Sequence, residues 1–261
     1  MVTVILGFLY IAFITTVIGF GVRKSLARIL LQNKCPLHSH DTTPRSIPSK
    51  DNSVANFSAN TNTTTVACTL TNNSLIQCII TGVVALTVYA EYISIFMNVG
   101  LICHLIMLAV TALICVLYRK DLFTADDSLF RTILKSLDLR SSLVRLVIYS
   151  AIIIIIAFYT SRGAFHTDTN IYHAQMIRIY EDYGLIKGMG NLQLHYAYNS
   201  AYLAFCSLFS MHFILPQPLH MTTGFLEAAL ALFAAGRLLD WHKHSKHVAD
   251  ISMLGIIIYI I

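Results

Sequence analysis

A polar, aromatic-rich stretch at residues 165–200 holds most of the side chains that could do chemistry. It reads FHTDTNIYHAQMIRIYEDYGLIKGMGNLQLHYAYNS and lies between two strongly apolar runs. Its Asp, His, Tyr, Asn and Gln side chains can bind a ligand or transfer protons. A plain loop between membrane spans would be shorter and richer in Ser, Gly and Lys, so the stretch is the candidate functional site.

Asp168 has two interpretations that are compatible with each other. It is placed to cap a helix that runs to about Tyr183, where Gly184 would follow the C-cap. The same carboxylate could face a substrate. His166 and His173 flank it and could bind a metal with it, but no two of these ligands have the i, i+4 spacing of a helical metal site.

The predicted helix has one apolar-aromatic stripe and a polar remainder. Its stripe residues recur at i, i+4, i+7 and i+11: Tyr172, Met176, Ile179 and Tyr183. Such an amphipathic helix lies on the membrane surface with its tyrosines at headgroup level. The candidate substrate-binding residues lie on this helix or follow it: Tyr172, His173, Gln175, Arg178, Glu181, Lys187, Asn191, His195 and Asn199.

Two of these candidates are cations that could meet a phosphate group, Arg178 and Lys187. Contact with lipid headgroups is the alternative, and the composition of the stretch favours it. Tyr172, His173 and Gln175 lie just inside the predicted helix, where an anionic group would also be stabilised by the helix N-terminus.

The composition of the chain predicts an all-α, polytopic transmembrane helix bundle. Hydrophobic residues make up 56% of the sequence and charged residues 12%, whereas soluble domains carry roughly a quarter charged residues. The excess of Lys and Arg does not indicate nucleic-acid binding, because in membrane proteins these residues collect in cytoplasmic loops. The six cysteines show no metal-ligand spacing.

Apolar runs and basic segments predict five regions and their orientation. The regions are a first span at 1–22, a polar flexible cytoplasmic linker at 23–75, a transmembrane hairpin at 76–118, a basic amphipathic cytoplasmic segment at 119–142, and a membrane region at 143–261. Two spans separate the two basic segments, so one orientation places both inside. The loop at 160–198, with its surface-lying helix, is therefore predicted to be extracytoplasmic.

The sequence leaves the path of residues 199–215 open, because this run is only just long enough to cross a membrane. If it crosses, and 221–238 crosses after it, the basic loop that begins at Arg237 lies outside. If it is re-entrant or lies at the membrane interface, that loop lies inside and follows the positive-inside rule. The chain stops within an apolar run, from which we expect a C-terminally truncated product of a longer protein.

The polar stretch resembles a family of uncharacterised, many-spanning bacterial membrane proteins. The resemblance covers about forty residues and is carried by the pattern DTxxYHxQxIRxxExYGxxxGxxNLxxxxxxNS. The matching positions run from Asp168 and Thr169, through Tyr172, His173 and Gln175, to Asn199 and Ser200. This resemblance implies a multi-pass protein of the bacterial cytoplasmic (inner) membrane.

More distantly, the arrangement resembles the GT-C class of membrane glycosyltransferases, in which a large external loop begins with a catalytic acidic residue. By that resemblance Asp168 would be the catalytic base, with Glu181 or Asp182 as a second acidic residue. The implied partners are the lipid bilayer, a polyprenyl-phosphate-linked sugar and a glycan or lipid acceptor, and a divalent cation is a candidate cofactor. Here three predicted spans precede the loop, and a single Asp168 replaces the usual acidic pair.

The alternative function is non-enzymatic: a transporter, or a subunit of polysaccharide export or assembly. A conduit would need ionisable residues that line a path through the spans. The predicted spans offer three such residues, Glu91, His104 and Glu227.

Overall fold

The computed structural model describes residues 1–32, 74–124, 128–131, 143–163 and 168–239, together with Ser252 and Gly255. No strand occurs in these ranges, which confirms the all-α prediction for them. Their seven α-helices are α1 Val2–Gln32, α2 Leu75–Ser94, α3 Leu101–Leu117, α4 Leu143–Ser161, α5 Ala174–Asp182, α6 Ala201–Ser207 and α7 Thr222–Leu239. Most of the predicted linker, most of the basic segment, His166 and the last apolar run lie outside the described residues.

Four of these helices are long and apolar enough to cross a membrane. They are α1, over Val2–Leu30, and α2, α4 and α7 over their full lengths. The number rises to five if α3 is counted together with the bent segment that follows it. Large apolar side chains such as Leu9, Val88 and Val147 are exposed on these helices, as expected of surfaces that face lipid. These helices are consistent with the predicted multi-pass membrane protein.

The first two helices run antiparallel and touch at backbone distance. A side-chain carbon built on Gly19 would lie 1.9 Å from the carbonyl oxygen of Cys78, and one built on Gly82 would lie 1.9 Å from the carbonyl oxygen of Thr15. Only glycine leaves room for such an approach, and small residues at a crossing let helices in membranes pack closely. The α1–α2 pair is therefore fixed in register by two glycines.

The C-terminal part of α1 meets α2 and α3 at one end of the bundle, here called the basic end. Three cations near the end of α1 make these contacts: Arg23 donates to Gln77 at 2.9 Å, Lys24 lies 3.5 Å from Asp121, and the Arg28 guanidinium lies 4.8 Å from the centre of the Tyr118 ring. Each contact joins α1 to the start of α2 or to residues that end or follow α3.

The polar stretch docks at the opposite end, here called the loop end, on the turn between α2 and α3. The Val99 amide donates to the Tyr180 carbonyl at 2.8 Å, and the Leu185 amide donates to the Ser94 carbonyl at 2.7 Å. The Asn98 side-chain amide donates to the main-chain carbonyl of residue 181 at 3.0 Å. The candidate site and the basic cluster of α1 are thus separated by the length of α2.

Helices α4 and α7 pair antiparallel, so that α7 starts at the loop end and finishes at the basic end. A side-chain carbon on Gly224 would lie 2.1 Å from the Thr160 hydroxyl, and one on Gly236 would lie 2.9 Å from the Tyr149 hydroxyl. Because α7 leads back to the basic end, Arg237 lies on the same side as the basic cluster of α1.

Residues 199–215 do not cross the bundle. Helix α6 has seven residues, which extend over roughly 10 Å, and a turn at 208–214 follows it. The chain then reaches Met221, whose side chain packs on Gly7 near the start of α1, at the loop end. Of the alternatives left open by the sequence, the path that does not cross the bundle is the one observed.

Candidate functional site

Asp168 stands immediately before a π-helical turn, Thr169–His173, that leads into α5. Its side chain makes no capping hydrogen bond to the backbone. Instead its Oδ2 lies 3.5 Å from the Tyr172 hydroxyl, which points its proton toward the carboxylate. The pKa of Tyr172 is raised, first by partial loss of solvent and then by the negative charge of Asp168. Tyr172 therefore stays a hydrogen-bond donor beside this carboxylate.

The C-terminus of the loop helix is the one that the sequence predicts. Gly184 follows the C-cap with φ of +78°, and its amide donates to the carbonyl of Tyr180 at 3.2 Å. A side-chain carbon on Gly184 would lie 2.6 Å from the Met97 carbonyl oxygen. Two features therefore require glycine at position 184: the left-handed backbone and the close contact with the α2–α3 turn.

The buried face of α5 differs from the predicted stripe. The apolar residues that it buries are Met176, Ile177 and Tyr180, whereas Tyr183 is 70% exposed. Tyr183 is the C-cap of α5, with φ of −127°, so its backbone has already left the helix. The neighbouring face carries the tertiary contacts: the Tyr180 carbonyl accepts the Val99 amide, and Glu181 accepts two hydrogen bonds from the segment after α6. These contacts turn Met176, Ile177 and Tyr180 toward the bundle.

A cavity of about 380 Å³ lies between the loop helix, the 3₁₀ turn Leu194–Tyr198, α6 and the start of α7. Four of the predicted substrate-binding residues line it: Tyr172, His173, His195 and Asn199. Its apolar lining comes from Met176, Ile177 and Leu203. The predicted catalytic residue Asp168 is not among the lining residues; it lies next to two of them, its chain neighbour Thr169 and its contact Tyr172.

Aromatic rings form one wall of this cavity. The Tyr172 and His195 rings stack with centroids 4.7 Å apart and planes 19° apart. Tyr198 meets both of them edge-on, at 6.2 Å from Tyr172 and 5.5 Å from His195. Such offset and edge-to-face contacts hold aromatic rings in fixed positions, so the wall is preformed.

Asn199 is held in place from behind the cavity. The Tyr180 hydroxyl donates to Asn199 Oδ1 at 2.7 Å, and Asn199 itself has a left-handed backbone with φ of +43°. Tyr180 is 1% exposed, and burial together with the charge of Glu91 raises its pKa. Because the amide oxygen is occupied by Tyr180, Asn199 can offer a ligand its NH₂ group.

The remaining predicted residues do not line the cavity. Gln175 accepts a hydrogen bond from the Tyr196 hydroxyl and so ties the 3₁₀ turn to α5. Arg178 forms an ion pair with Asp182. Lys187 and Asn191 are exposed in the turn that follows α5. The two predicted phosphate-binding cations, Arg178 and Lys187, therefore lie outside the cavity lining.

Glu181 is buried in a structural contact instead of facing the cavity. It is 2% exposed; its Oε1 accepts the Phe213 amide at 3.1 Å, and its Oε2 accepts the Ser210 hydroxyl. These bonds join α5 to the turn after α6. Of the two acidic residues implied by the GT-C resemblance, Glu181 is thus an anchor and Asp182 is the surface partner of Arg178.

Several cavity-lining residues were not predicted from the sequence: Tyr198 lies within the 165–200 stretch, and Tyr202, Cys206, His220 and Thr223 lie beyond it. The Tyr202 hydroxyl lies 2.6 Å from the Thr223 hydroxyl, so that α6 and α7 are joined beside the cavity. The sequence contains a signal for His220 and Thr223, because the polar residues His220, Thr222 and Thr223 follow two prolines between apolar segments. Tyr202 and Cys206 carry no such signal, because they sit inside an apolar run.

The described residues show no metal site. Within them, no group of three or more His, Cys, Asp or Glu side chains could hold a metal ion. The three cavity histidines, His173, His195 and His220, therefore serve here as polar lining. The position of the candidate divalent cation stays a prediction.

Comparison with known proteins identifies a family without an assigned activity. A family model described as a domain of unknown function (DUF8201) matches residues 1–261, so the chain belongs to this family. No curated protein and no solved structure matches the chain.

Proposed function

We propose that this DUF8201 protein is a membrane glycosyltransferase that uses a polyprenyl-phosphate-linked sugar at the extracytoplasmic face, in the assembly of a cell-surface glycan. The observation that carries the proposal is the position of Asp168. Its carboxylate stands at the edge of a preformed cavity with an aromatic wall and an apolar lining. A carboxylate so placed can act on a hydroxyl group bound in the cavity.

In the proposed reaction Asp168 is the general base. It takes the proton of the acceptor hydroxyl while that oxygen attacks the anomeric carbon of the donor sugar. The new glycosidic bond forms as the bond from the anomeric carbon to the phosphate oxygen breaks. The lipid phosphate leaves with the electron pair, and the proton remains on the Asp168 carboxyl group.

The charge of the leaving phosphate would be met by imidazole and amide groups. Among the described residues the cavity lining contains no Lys or Arg, but it contains His173, His195 and His220, together with the amide of Asn199. Fixed N–H donors directed at a developing negative charge stabilise the transition state. Arg178 is engaged by Asp182 on the outer surface, so the proposed phosphate ligands are histidines and not this arginine.

The size and lining of the cavity fit an amphipathic donor. About 380 Å³ is within the range of small-ligand sites. The stacked Tyr172 and His195 rings offer a flat face to the C–H surface of a sugar ring, and Met176 and Leu203 offer an apolar surface to the first isoprene units. A free nucleotide sugar would make no use of this apolar part.

A non-enzymatic role is the alternative, and one observation favours the version in which the loop docks an assembly partner. Leu192 and Leu194, on the outside of the loop, are 79% and 71% exposed. A conduit has less support. His104 Nδ1 lies 3.0 Å from the Leu208 carbonyl and its Nε2 lies 2.7 Å from the Tyr10 hydroxyl, and within the described residues no hydrogen bond joins it to Glu91 or Glu227.

Turnover of a matched pair of variants tests the proposal. The full-length chain is assayed for sugar transfer from a polyprenyl-phosphate sugar, as wild type, Asp168→Asn and Asp182→Asn. Both variants replace a carboxylate of the same loop by its amide, but only Asp168 adjoins the cavity. We expect Asp168→Asn to lose transfer by at least 100-fold, the scale of lost general-base catalysis, and Asp182→Asn to stay within about twofold. Unchanged transfer by Asp168→Asn would refute the base assignment.

A further inference from the structure

A second cavity, of about 800 Å³, lies at the basic end, where the end of α1 meets residues 115–123. It is separate from the candidate site at the loop end, and the proposed function does not use it. We propose that this cavity binds the headgroup phosphate of an anionic phospholipid, with the acyl chains lying against its apolar rim.

Three cations line the second cavity: Arg28 from α1, and Arg119 and Lys120 just after α3. The single acidic residue in the lining, Asp121, lies 3.5 Å from Lys24. Because Lys24 offsets that carboxylate, the charge offered to a ligand by the lining is strongly positive. A phosphodiester is the complementary group on the membrane surface.

The arginine from α1 is held in position before any ligand binds. Its guanidinium carbon lies 4.8 Å from the centre of the Tyr118 ring, and its Nη1 lies 3.4 Å from the Tyr118 hydroxyl. Stacking of this kind fixes the guanidinium plane while its remaining N–H groups stay available to a phosphate oxygen. Arg28 therefore forms a preorganised half of the site.

The other half consists of Arg119 and Lys120, whose side chains are exposed at the mouth of the cavity. Neither forms an ion pair with an acidic residue in the part of the chain that the structure describes. Clustered cations at the end of a membrane span attract anionic lipid, by about 1 kcal/mol for each basic side chain near the surface. Both residues line the same cavity as Arg28, so the three cations can contact one headgroup.

The apolar rim distinguishes a lipid from a soluble phosphate. Val116 and Leu117 are 73% and 66% exposed, and Phe123 is 42% exposed. All three line the cavity, and the first two belong to the apolar helix α3. A phospholipid contacts the cations with its headgroup and these side chains with its acyl chains, whereas inorganic phosphate can use only the cations.

Lipid binding to the purified full chain in neutral detergent tests the proposal. Short-chain phosphatidylglycerol, phosphatidylcholine and inorganic phosphate are titrated separately, and binding is followed by native mass spectrometry and by the Tm. The site variant is the double substitution Arg119→Gln, Lys120→Gln. Its matched control is Arg131→Gln, Arg145→Gln, which removes two positive charges from residues outside the lining.

We expect phosphatidylglycerol to bind and to raise the Tm, with little effect of phosphatidylcholine or inorganic phosphate. The site variant should bind phosphatidylglycerol roughly 30-fold more weakly, which corresponds to about 1 kcal/mol for each lost cation. The control should bind within about threefold of wild type.

Three results would overturn the proposal. If the control variant bound phosphatidylglycerol as weakly as the site variant, the loss of binding would be due to the general surface charge and not to this cavity. Equal binding of phosphatidylcholine would remove the role of the cations, and equal stabilisation by inorganic phosphate would make the cavity a soluble-anion site. Arg119→Gln and Lys120→Gln are also tested singly, so that poor folding of the double variant does not hide the result.

Discussion

Two carboxylates of the same loop have opposite surroundings, and this difference assigns their roles. Asp168 is partly exposed and faces a tyrosine hydroxyl at the cavity edge. Glu181 is buried and accepts hydrogen bonds from Ser210 and from the Phe213 amide. Side chains of one chemical type take different roles when their environments differ in this way. In the proposed function Asp168 acts on the substrate, whereas Glu181 stabilises the fold.

The first prediction follows from the buried hydrogen bonds of Glu181. Replacing Glu181 by Ala leaves the Phe213 amide without its acceptor and the Ser210 hydroxyl with only the Ser207 carbonyl, at 3.2 Å, so we expect a loss of stability of roughly 1–3 kcal/mol. Asp168 is only partly buried, and its replacement by the isosteric Asn should change the free energy of unfolding by about 0.5 kcal/mol. Thermal unfolding of the purified proteins compares the two; equal Tm values for Glu181→Ala and wild type would contradict the anchoring role.

At the residue scale the sequence predicts which residues are polar and near one another, but not which of them face the cavity. Tyr172, His173, His195 and Asn199 were candidates and line it. Arg178 and Glu181 were candidates as well, but their partners are Asp182 and the distant Ser210. A contact between residues 29 positions apart has no local signal in a single sequence, so the burial of Glu181 could not be predicted.

At the scale of elements, helix ends were easier to predict than helix faces. Gly184 marks the end of α5, because a left-handed C-cap is a local event with a local residue preference. The predicted face of α5 was wrong, because the buried face is set by contacts of Tyr180 and Glu181 with residues distant in sequence, Val99, Ser210 and Phe213. Helix α6 is short because the chain turns after it and residues 208–221 make tertiary contacts instead of continuing the helix. The hydrophobicity of the sequence does not predict where this turn begins.

The second prediction concerns the α1–α2 crossing. In Gly19→Ala the new carbon meets the Cys78 carbonyl oxygen at 1.9 Å, and neither backbone can yield without separating the helices. We expect a loss at or above the upper end of the 1–3 kcal/mol typical of overpacking. In the comparison variant Gly21→Ala the nearest atoms belong to the Ile114 side chain, at 2.9 Å, and a side chain can shift at a lower cost than a helix backbone.

Thermal unfolding and size-exclusion profiles in detergent separate these two glycine variants. Gly19→Ala should show the lower Tm by several degrees and more aggregate, while Gly21→Ala should remain close to wild type. Similar behaviour of the two variants would mean that the backbone contact at Gly19 does not limit the stability of the bundle.

At the scale of the whole molecule, the two cavities lie at opposite ends of one helix bundle. The basic end carries Arg28, Arg119 and Lys120, and the loop end carries the aromatic cavity. Positively charged segments favour the cytoplasmic side. In the proposed orientation, the catalytic cavity therefore faces outward, and the lipid-headgroup cavity faces the inner leaflet.

The third prediction is the sidedness that this orientation requires. We expect Lys187→Cys to react with a membrane-impermeant maleimide in intact cells, because residue 187 is exposed at the loop end. Lys120→Cys, at the basic end, should react only after permeabilisation. The parent chain supplies the background from its native cysteines, and labelling of both variants in intact cells would contradict the two-sided arrangement.

The central claim is that the loop-end cavity binds a polyprenyl-phosphate-linked sugar, and a direct binding measurement tests it. The Kd of this ligand is measured for wild type, Ala174→Trp and Asn170→Trp in nanodiscs. Ala174 lines the cavity and a Trp there would fill it, whereas Asn170 is exposed outside the lining. We predict binding by wild type and Asn170→Trp, and at least tenfold weaker binding by Ala174→Trp. Absence of binding by wild type, or equal Kd values for all three proteins, would contradict the account.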